Sequence, residues 1–168
     1  LERIARSYRD QEEYDAAIDV WNRLIDEFPR GSQARWLLEL ARDHRANDAD
    51  DKAQLALLEI RHRFKRSPRW PEAMEMLADI ALENNNIERA RTILERARSV
   101  LRSGQNPRLT LRLARLYDEY TPIRDYRRAV QLYRQAARQL EESDSEAARN
   151  ARKRADYLMN NYVKFGTE

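Results

Sequence analysis

The 168-residue sequence repeats itself: Leu1, Ile4, Ala5, Tyr8, Ala17, Trp21, Leu24 and Phe28 recur 36 positions on as Leu37, Leu40, Ala41, His44, Ala53, Leu57, Ile60 and Phe64. A third copy follows 37 positions later as Met74, Leu77, Ala78, Ala81, Ala90, Leu94, Ala97 and Leu101. A fourth reads Thr110, Leu113, Ala114, Tyr117, Ala129, Tyr133, Ala136 and Leu140, with three extra residues in its middle around Tyr120-Thr121-Pro122-Ile123-Arg124. Such a period constrains the fold strongly, because a unit too small to bury its own apolar face must stack on its neighbours. Within each copy the apolar and small residues step by three and four, as one face of an α-helix does, and a polar break separates two such stretches. Each copy therefore reads as a helical hairpin. The alanines at shared positions of both helices let backbones approach, with large side chains beside them. The turns carry fitting residues: Asn84-Asn85-Asn86 tolerates left-handed backbone, Asp48, Asp50 and Asp51 are expected to cap the next helix, and Pro71 and Pro107 fall near first helical positions.

Composition removes the alternatives. Three glycines and five prolines supply too few tight turns for a sandwich or barrel. With 36% charged residues and a mean hydropathy of −0.94, no apolar run exceeds Leu55-Ala56-Leu57-Leu58, far short of the ~20 residues that span a bilayer. The absence of cysteine removes disulfides, thiol catalysis and cysteine-bound zinc, and fits the cytoplasm and a cysteine-poor bacterial envelope alike. Catalytic signatures are absent from the sequence. His44 takes a packing position, His62 lies among arginines on the outer side of a second helix, and neither has metal-ligand spacing. Asp48, Asp50 and Asp51 lack the glycine and glutamate of a calcium loop, and Gly31, Gly104 and Gly166 are too isolated to cradle a phosphate. Trp36 and Trp70 fall outside the strict stripe and are assigned to packing between hairpins. No enzyme activity, cofactor or metal is expected.

The charge is uneven. Residues 1–84 hold 14 basic and 18 acidic side chains, residues 85–168 hold 18 and 11, and 28 of the 32 basic residues are arginine. A pI of 9.3 invites a nucleic-acid reading. Helical-repeat RNA readers, however, place base-reading residues at fixed sites, and here those faces change from copy to copy.

The repeated residues resemble the tetratricopeptide repeat (TPR) family. Leu1, Ile4, Ala5, Tyr8, Ala17, Trp21 and Pro29 match its motif in the first copy, and Leu113, Ala114, Tyr117, Ala129, Tyr133 and Ala136 in the fourth, with Tyr14 and Tyr126 opening the second helices. His44 and Ala81 replace the usual tyrosine, and Lys65 stands where the second copy's proline belongs. The resemblance implies an all-α, TPR-like right-handed α-solenoid of four hairpins, at about 1–32, 33–69, 70–105 and 106–142. A C-terminal capping helix at 143–163 carries Ala147, Ala148, Ala151, Ala155, Leu158 and Met159 behind a Ser143-Asp144-Ser145 cap, and a tail spans 164–168. Because Leu1 begins inside the pattern, further repeats are expected upstream.

In such solenoids the first helix of each hairpin, helix A, lines a concave groove, and the resemblance implies a non-enzymatic scaffold that binds a partner protein or peptide there. The residues pointing off the packed stripe are Glu2, Arg6, Arg9 and Asp10; Arg35, Leu38, Arg42 and Arg45; Glu72, Glu75, Asp79, Leu82 and Glu83; and Arg108, Leu111, Arg115, Asp118 and Glu119. Arg6, Arg42 and Arg45 are expected to form one basic strip for an acidic partner segment, with intramolecular Arg–Glu pairs as the competing use. Arginines where the family's two-carboxylate clamp has asparagines argue against chaperone C-termini as ligands. The junction Phe28-Pro29-Arg30-Gly31-Ser32 is similar to that of bacterial envelope TPR proteins, which implies a periplasmic location, with the cytoplasm as the alternative. The corresponding second reading of function is a segment of a polysaccharide-export, cell-wall or outer-membrane assembly machine.

Overall fold

A computed structural model of the chain describes residues 1–101 and 106–164; the expected hairpin boundary at 105/106 and the tail from 165 onward lie outside them. The described residues contain no strand. The helices are α1 (Glu2–Asp10), α2 (Tyr14–Glu27), α3 (Gln33–Ala46), α4 (Asp50–Arg63), α5 (Trp70–Glu83), α6 (Ile87–Val100), α7 (Pro107–Glu119), α8 (Tyr126–Leu140) and α9 (Ser145–Leu158), the last running into a π-helical turn at Met159–Val163. The chain divides into two compact units, Leu1–Ile80 and Ala81–Glu168, with the boundary inside α5. In the first unit α1 packs on α2, α2 on α3 and α3 on α4; in the second, α6 packs on α7, α7 on α8 and α8 on α9. Helices thus bury their apolar faces against sequence neighbours, which is the logic of a hairpin solenoid.

The shared alanines set the spacing. Ala5, Ala41, Ala78 and Ala114 in the A helices, and Ala17, Ala53, Ala90 and Ala129 in the second, or B, helices, are all 0% exposed. Trp21, Leu57, Leu94 and Leu113 fill the volume beside them and are buried too. Leu1 and Ile4, which the stripe places inward, are exposed, because α1 packs chiefly on α2. Trp36 and Trp70 are buried, and each indole N–H is satisfied: Trp36 Nε1 donates to Glu2 Oε1 at 2.6 Å and Trp70 Nε1 to the Arg61 carbonyl at 3.2 Å.

One device closes the first three hairpins. The carbonyl at the motif-tyrosine position accepts the N–H five residues on, from Glu13 to Tyr8 (2.9 Å), Ala49 to His44 (2.8 Å) and Asn86 to Ala81 (2.7 Å). The residue before each donor has left-handed backbone: Glu12 (φ 61°), Asp48 (φ 53°) and Asn85 (φ 55°). This is a Schellman-type ending, and it holds the 36- and 37-residue registers together. In the fourth copy the insertion replaces the left-handed residue with a 3₁₀ turn at Thr121–Ile123, and the N–H of Asp125 reaches back to the same Tyr117 carbonyl at 2.9 Å.

Asp48 therefore does not cap α4. It is consumed by the turn, the N-cap is Ala49 with no side-chain bond, and Asp50 and Asp51 sit inside the first turn, where they favour the positive end of the helix dipole. True caps stand at Asn86, Asn106, Asp125 and Asp144, each accepting a backbone N–H from three residues on at 2.9–3.1 Å. Behind Asp144, α9 buries Ala148, Ala151, Ala155 and Leu158 and packs on α8. Its Ala147, Ala151 and Arg154 lie 37 residues beyond Thr110, Ala114 and Tyr117, so α9 takes the place of a fifth A helix.

Candidate functional site

In the first unit the A-helix charges are spent on one another. Arg9 of α1 reaches α3, where its Nε bonds Asp43 Oδ1 while Nη1 and Nη2 bond the side chain and carbonyl of Glu39 at 2.6 and 3.1 Å. The second oxygen of Asp43, whose side chain is 0% exposed, accepts Trp21 Nε1 at 2.7 Å. Glu39 also takes Arg42 Nη1 at 2.8 Å, and Arg42 Nη2 bonds Glu72 of α5. At the start of α1, Glu2 receives Arg35 and Trp36 together. Burial pushes the Glu39 carboxyl up, but the hydrogen bond from Arg9 and the charge of Arg42 outweigh it and hold the group below the ordinary range. The Trp36 hydrogen bond does the same for Glu2, helped by Arg35 against partial burial.

Each arginine of the expected basic strip has a carboxylate near it. Arg42 stands between two glutamates, Arg45 lies 3.5 Å from Asp50, and Arg6, the most exposed of the three, is 4.0 Å from Glu2. Two residues assigned to the open surface of this unit are interior: Leu38 is 1% exposed and Glu75 is buried. For Leu38 the reason is that α3 packs against both α2 and α4, so its buried arc is wider than one stripe. Arg35 and Glu72 are half-buried ion-pair partners, and Asp79 is half-buried with contacts of its own.

The second unit keeps a groove open between α7 and α9. It encloses about 420 Å³ and is lined by Leu111, Arg115 and Glu119 of α7, Tyr133 of α8, and Asn150 and Arg154 of α9, over a floor that includes Ala147 and Ala151. Leu111 is half-buried, while Arg115 is exposed and makes no ion pair among the described residues; Arg108 is exposed two turns before Arg115. Asp118, expected on the surface, is buried instead. It accepts Tyr133 OH at 3.2 Å and both Nε and Nη2 of Arg154 at 2.7 and 2.8 Å, which anchors α9 against the hairpin. Burial and the Asp118 charge push the Tyr133 hydroxyl up, and the Asp118 hydrogen bond raises Arg154. Leu82, also of this unit, is half-buried at the end of α5. Sequence reasoning missed Tyr133, Asn150 and Arg154 as groove residues. The signal was the 37-residue offset of α9, which marks it as an A helix and sets its polar side chains beside those of α7.

Among the described residues no cluster of His, Asp or Glu is arranged to hold a metal, and no helix is long and apolar enough to cross a membrane. The tetratricopeptide repeat family model matches residues 3–42 and 38–107. The chain belongs to the tetratricopeptide repeat family. Such repeats are generally non-enzymatic scaffolds that bind protein partners. No curated protein matches the sequence. Among solved structures, the chain is similar to MamA, at 17% identity over 96% of this chain and 98% of that one, with a TM-score of 0.57. A second MamA structure gives 16%, 99%, 93% and 0.60. The nearly identical TPR-like repeats of a putative kinesin light chain from Podosopora anserina give 17% identity, 97% and 87% coverage, and 0.63. At these identities the likeness is one of fold.

Proposed function

We propose that this chain is a non-enzymatic scaffold that receives an extended segment of a partner protein in the α7/α9 groove. The observation that carries the reading is the composition of that groove: apolar surface from Leu111, Ala147 and Ala151, with the polar side chains of Arg115, Glu119, Asn150 and Arg154 around it. Concave sites of this make-up bind through apolar contact and take orientation from a few polar groups. Leu111, Arg115 and Glu119 are the residues of the sequence-derived groove that contribute here, and Arg108 lies outside the lining. Of those in the first unit, Arg9, Arg35, Arg42 and Glu72 serve the A-helix network. The envelope reading rests on the Phe28–Ser32 junction, and that junction has a packing cause: a Cβ on Gly31 would lie 2.1 Å from the Trp36 ring, so the buried tryptophan requires glycine whatever the compartment.

A photoreactive side chain in place of Leu111 tests the reading in cells, with one in place of Leu55, 68% exposed on α4, as control. A specific protein adduct at 111 and none at 55, lost when Arg115→Glu is added, is the expected result. Equal labelling at both positions, or adducts indifferent to Arg115→Glu, would overturn it.

A further inference from the structure

A cavity lies where the α2–α3 and α4–α5 turns of the first unit come together, with Arg35 of α3 on its wall. It encloses about 750 Å³. Its lining contains Arg35, His62, Arg63, Lys65, Arg66 and Arg69 and no acidic residue. Three of these arginines are partly neutralised from outside the cavity: Arg35 by Glu2, Arg63 by Glu59 and Arg69 by Glu72 at 3.6 Å. Lys65 and Arg66 are exposed and make no ion pair among the described residues. Arg35 Nε, on the cavity wall, is buried with no hydrogen-bond partner. A buried donor left unpaired is rare enough to need a cause, and a bound acceptor supplies one.

The walls are pre-set. The Phe64–Trp70 turn is held by Ser67 N–H to the Phe64 carbonyl (2.9 Å), Trp70 N–H to the Ser67 carbonyl (3.0 Å) and Arg69 N–H to Ser67 Oγ (3.1 Å). On the other side Gly31 and Ser32 lead into α3, whose N-cap makes no side-chain bond. We propose that this cavity binds an acidic segment of a protein partner through its carboxylates. Arginine forks and a lysine at one site match carboxylate groups in geometry and charge. The volume falls in the range of sites that enclose many atoms of a ligand rather than one small anion. The lining's one benzene ring, Phe64, is half-buried and already faced by the Arg63 guanidinium at 5.3 Å, so it is not an open platform for stacking a base. The site is distinct from the α7/α9 groove and stands whether or not that groove binds a partner.

Fluorescence anisotropy of the whole chain with a labelled octapeptide of alternating Asp and Glu tests the proposal, against an Asn/Gln octapeptide, inorganic phosphate and a short single-stranded oligonucleotide. The acidic octapeptide should bind, the neutral one should not, and affinity should fall as salt rises. Lys65→Glu with Arg66→Glu should weaken binding by about tenfold or more, roughly the loss of one charge-assisted bond, and should leave the melting curve unchanged. The milder Lys65→Ala with Arg66→Ala should weaken it in the same direction. Arg127→Glu, an exposed cation of α8, should have no effect. Equal weakening by Arg127→Glu, indifference to both turn variants, or tighter binding of phosphate or the oligonucleotide than of the acidic peptide would each overturn the proposal.

Discussion

Arg42 and Arg115 occupy the same place in the repeat, two copies apart, yet the first is locked between Glu39 and Glu72 and the second projects freely into a groove. The difference lies in their neighbours. The residue three before Arg42 is Glu39, and the facing position on α5 is Glu72; the corresponding residues around Arg115 are Arg112 and Ser145. A helix-A charge in this fold is therefore structural or available according to what the adjacent A helix offers. The first unit turns its A face into a cross-helix network, while the second leaves Leu111 and Arg115 open and concentrates its pairing at Asp118.

The sharpest way to break this contrast is to remove the carboxylate at the centre of each network. Asp43→Ala strands the Trp21 N–H, 0% exposed, and the half-buried Arg9, and breaking a buried pair on one side costs about 3–5 kcal/mol. Asp118→Ala also removes a buried acceptor, but its partner Arg154 is 44% exposed and regains water, so about 1–3 kcal/mol is expected. Urea melts of the two variants measure the gap. Equal losses would mean that the first network is no more than a set of surface pairs.

A smaller effect separates the two arginines themselves. Arg42→Glu places a third carboxylate beside Glu39 and Glu72 and should cost at most about 2 kcal/mol, since the side chain is 38% exposed and screened. Arg115→Glu should leave the melting temperature within a degree or so, as for a surface change away from any network. The pairs of Arg42 with Glu39 and Glu72 are why its reversal should be felt in stability.

The helices and their packing were legible because alanine and large apolar residues recur at fixed offsets, and all eight shared alanines are fully buried. The turns were legible in part. The run Asn84-Asn85-Asn86 announces a left-handed turn and Asn85 supplies it; Asp48 is of a type that tolerates the same backbone but reads equally as a cap, and Glu12 adopts it with no residue type that announces it. Surface assignments were the least legible. Helical spacing tells which side of a helix a residue is on, but Leu38 of α3 and Asp118 of α7 are buried because each of these helices packs against two neighbours; Glu75 is buried as well. The turn cavity was hidden for another reason: its cations come from two separate segments, Arg35 at the start of α3 and the run His62–Arg69 around the α4–α5 turn, and only their juxtaposition makes a site.

The mildest perturbation, pH, distinguishes the units by the sign of their titrations. All three tryptophans, Trp21, Trp36 and Trp70, lie in the first unit, so their fluorescence reports that unit, while far-UV circular dichroism reports every helix. In the first unit burial, with Lys52 nearby, holds His44 below its ordinary 6.5, and Glu2 and Glu39 are held below 4.5. Groups with a lowered folded-state pKa contribute stability above their unfolded value and lose it as pH falls. This unit should weaken from about pH 6.5 downward and further below 4.5. In the second unit burial raises Tyr117 and Tyr133 above 10.0, with Glu95 and Asp118 adding to it. A raised pKa contributes stability below the unfolded value that is lost as pH climbs, so this unit should weaken above pH 10.0. On acidification the tryptophan emission should shift before most of the helical signal is lost; on alkalinisation the helical signal should fall first. Coincident transitions at both ends would show that the units unfold as one, and that the contrast in their networks has no consequence for stability.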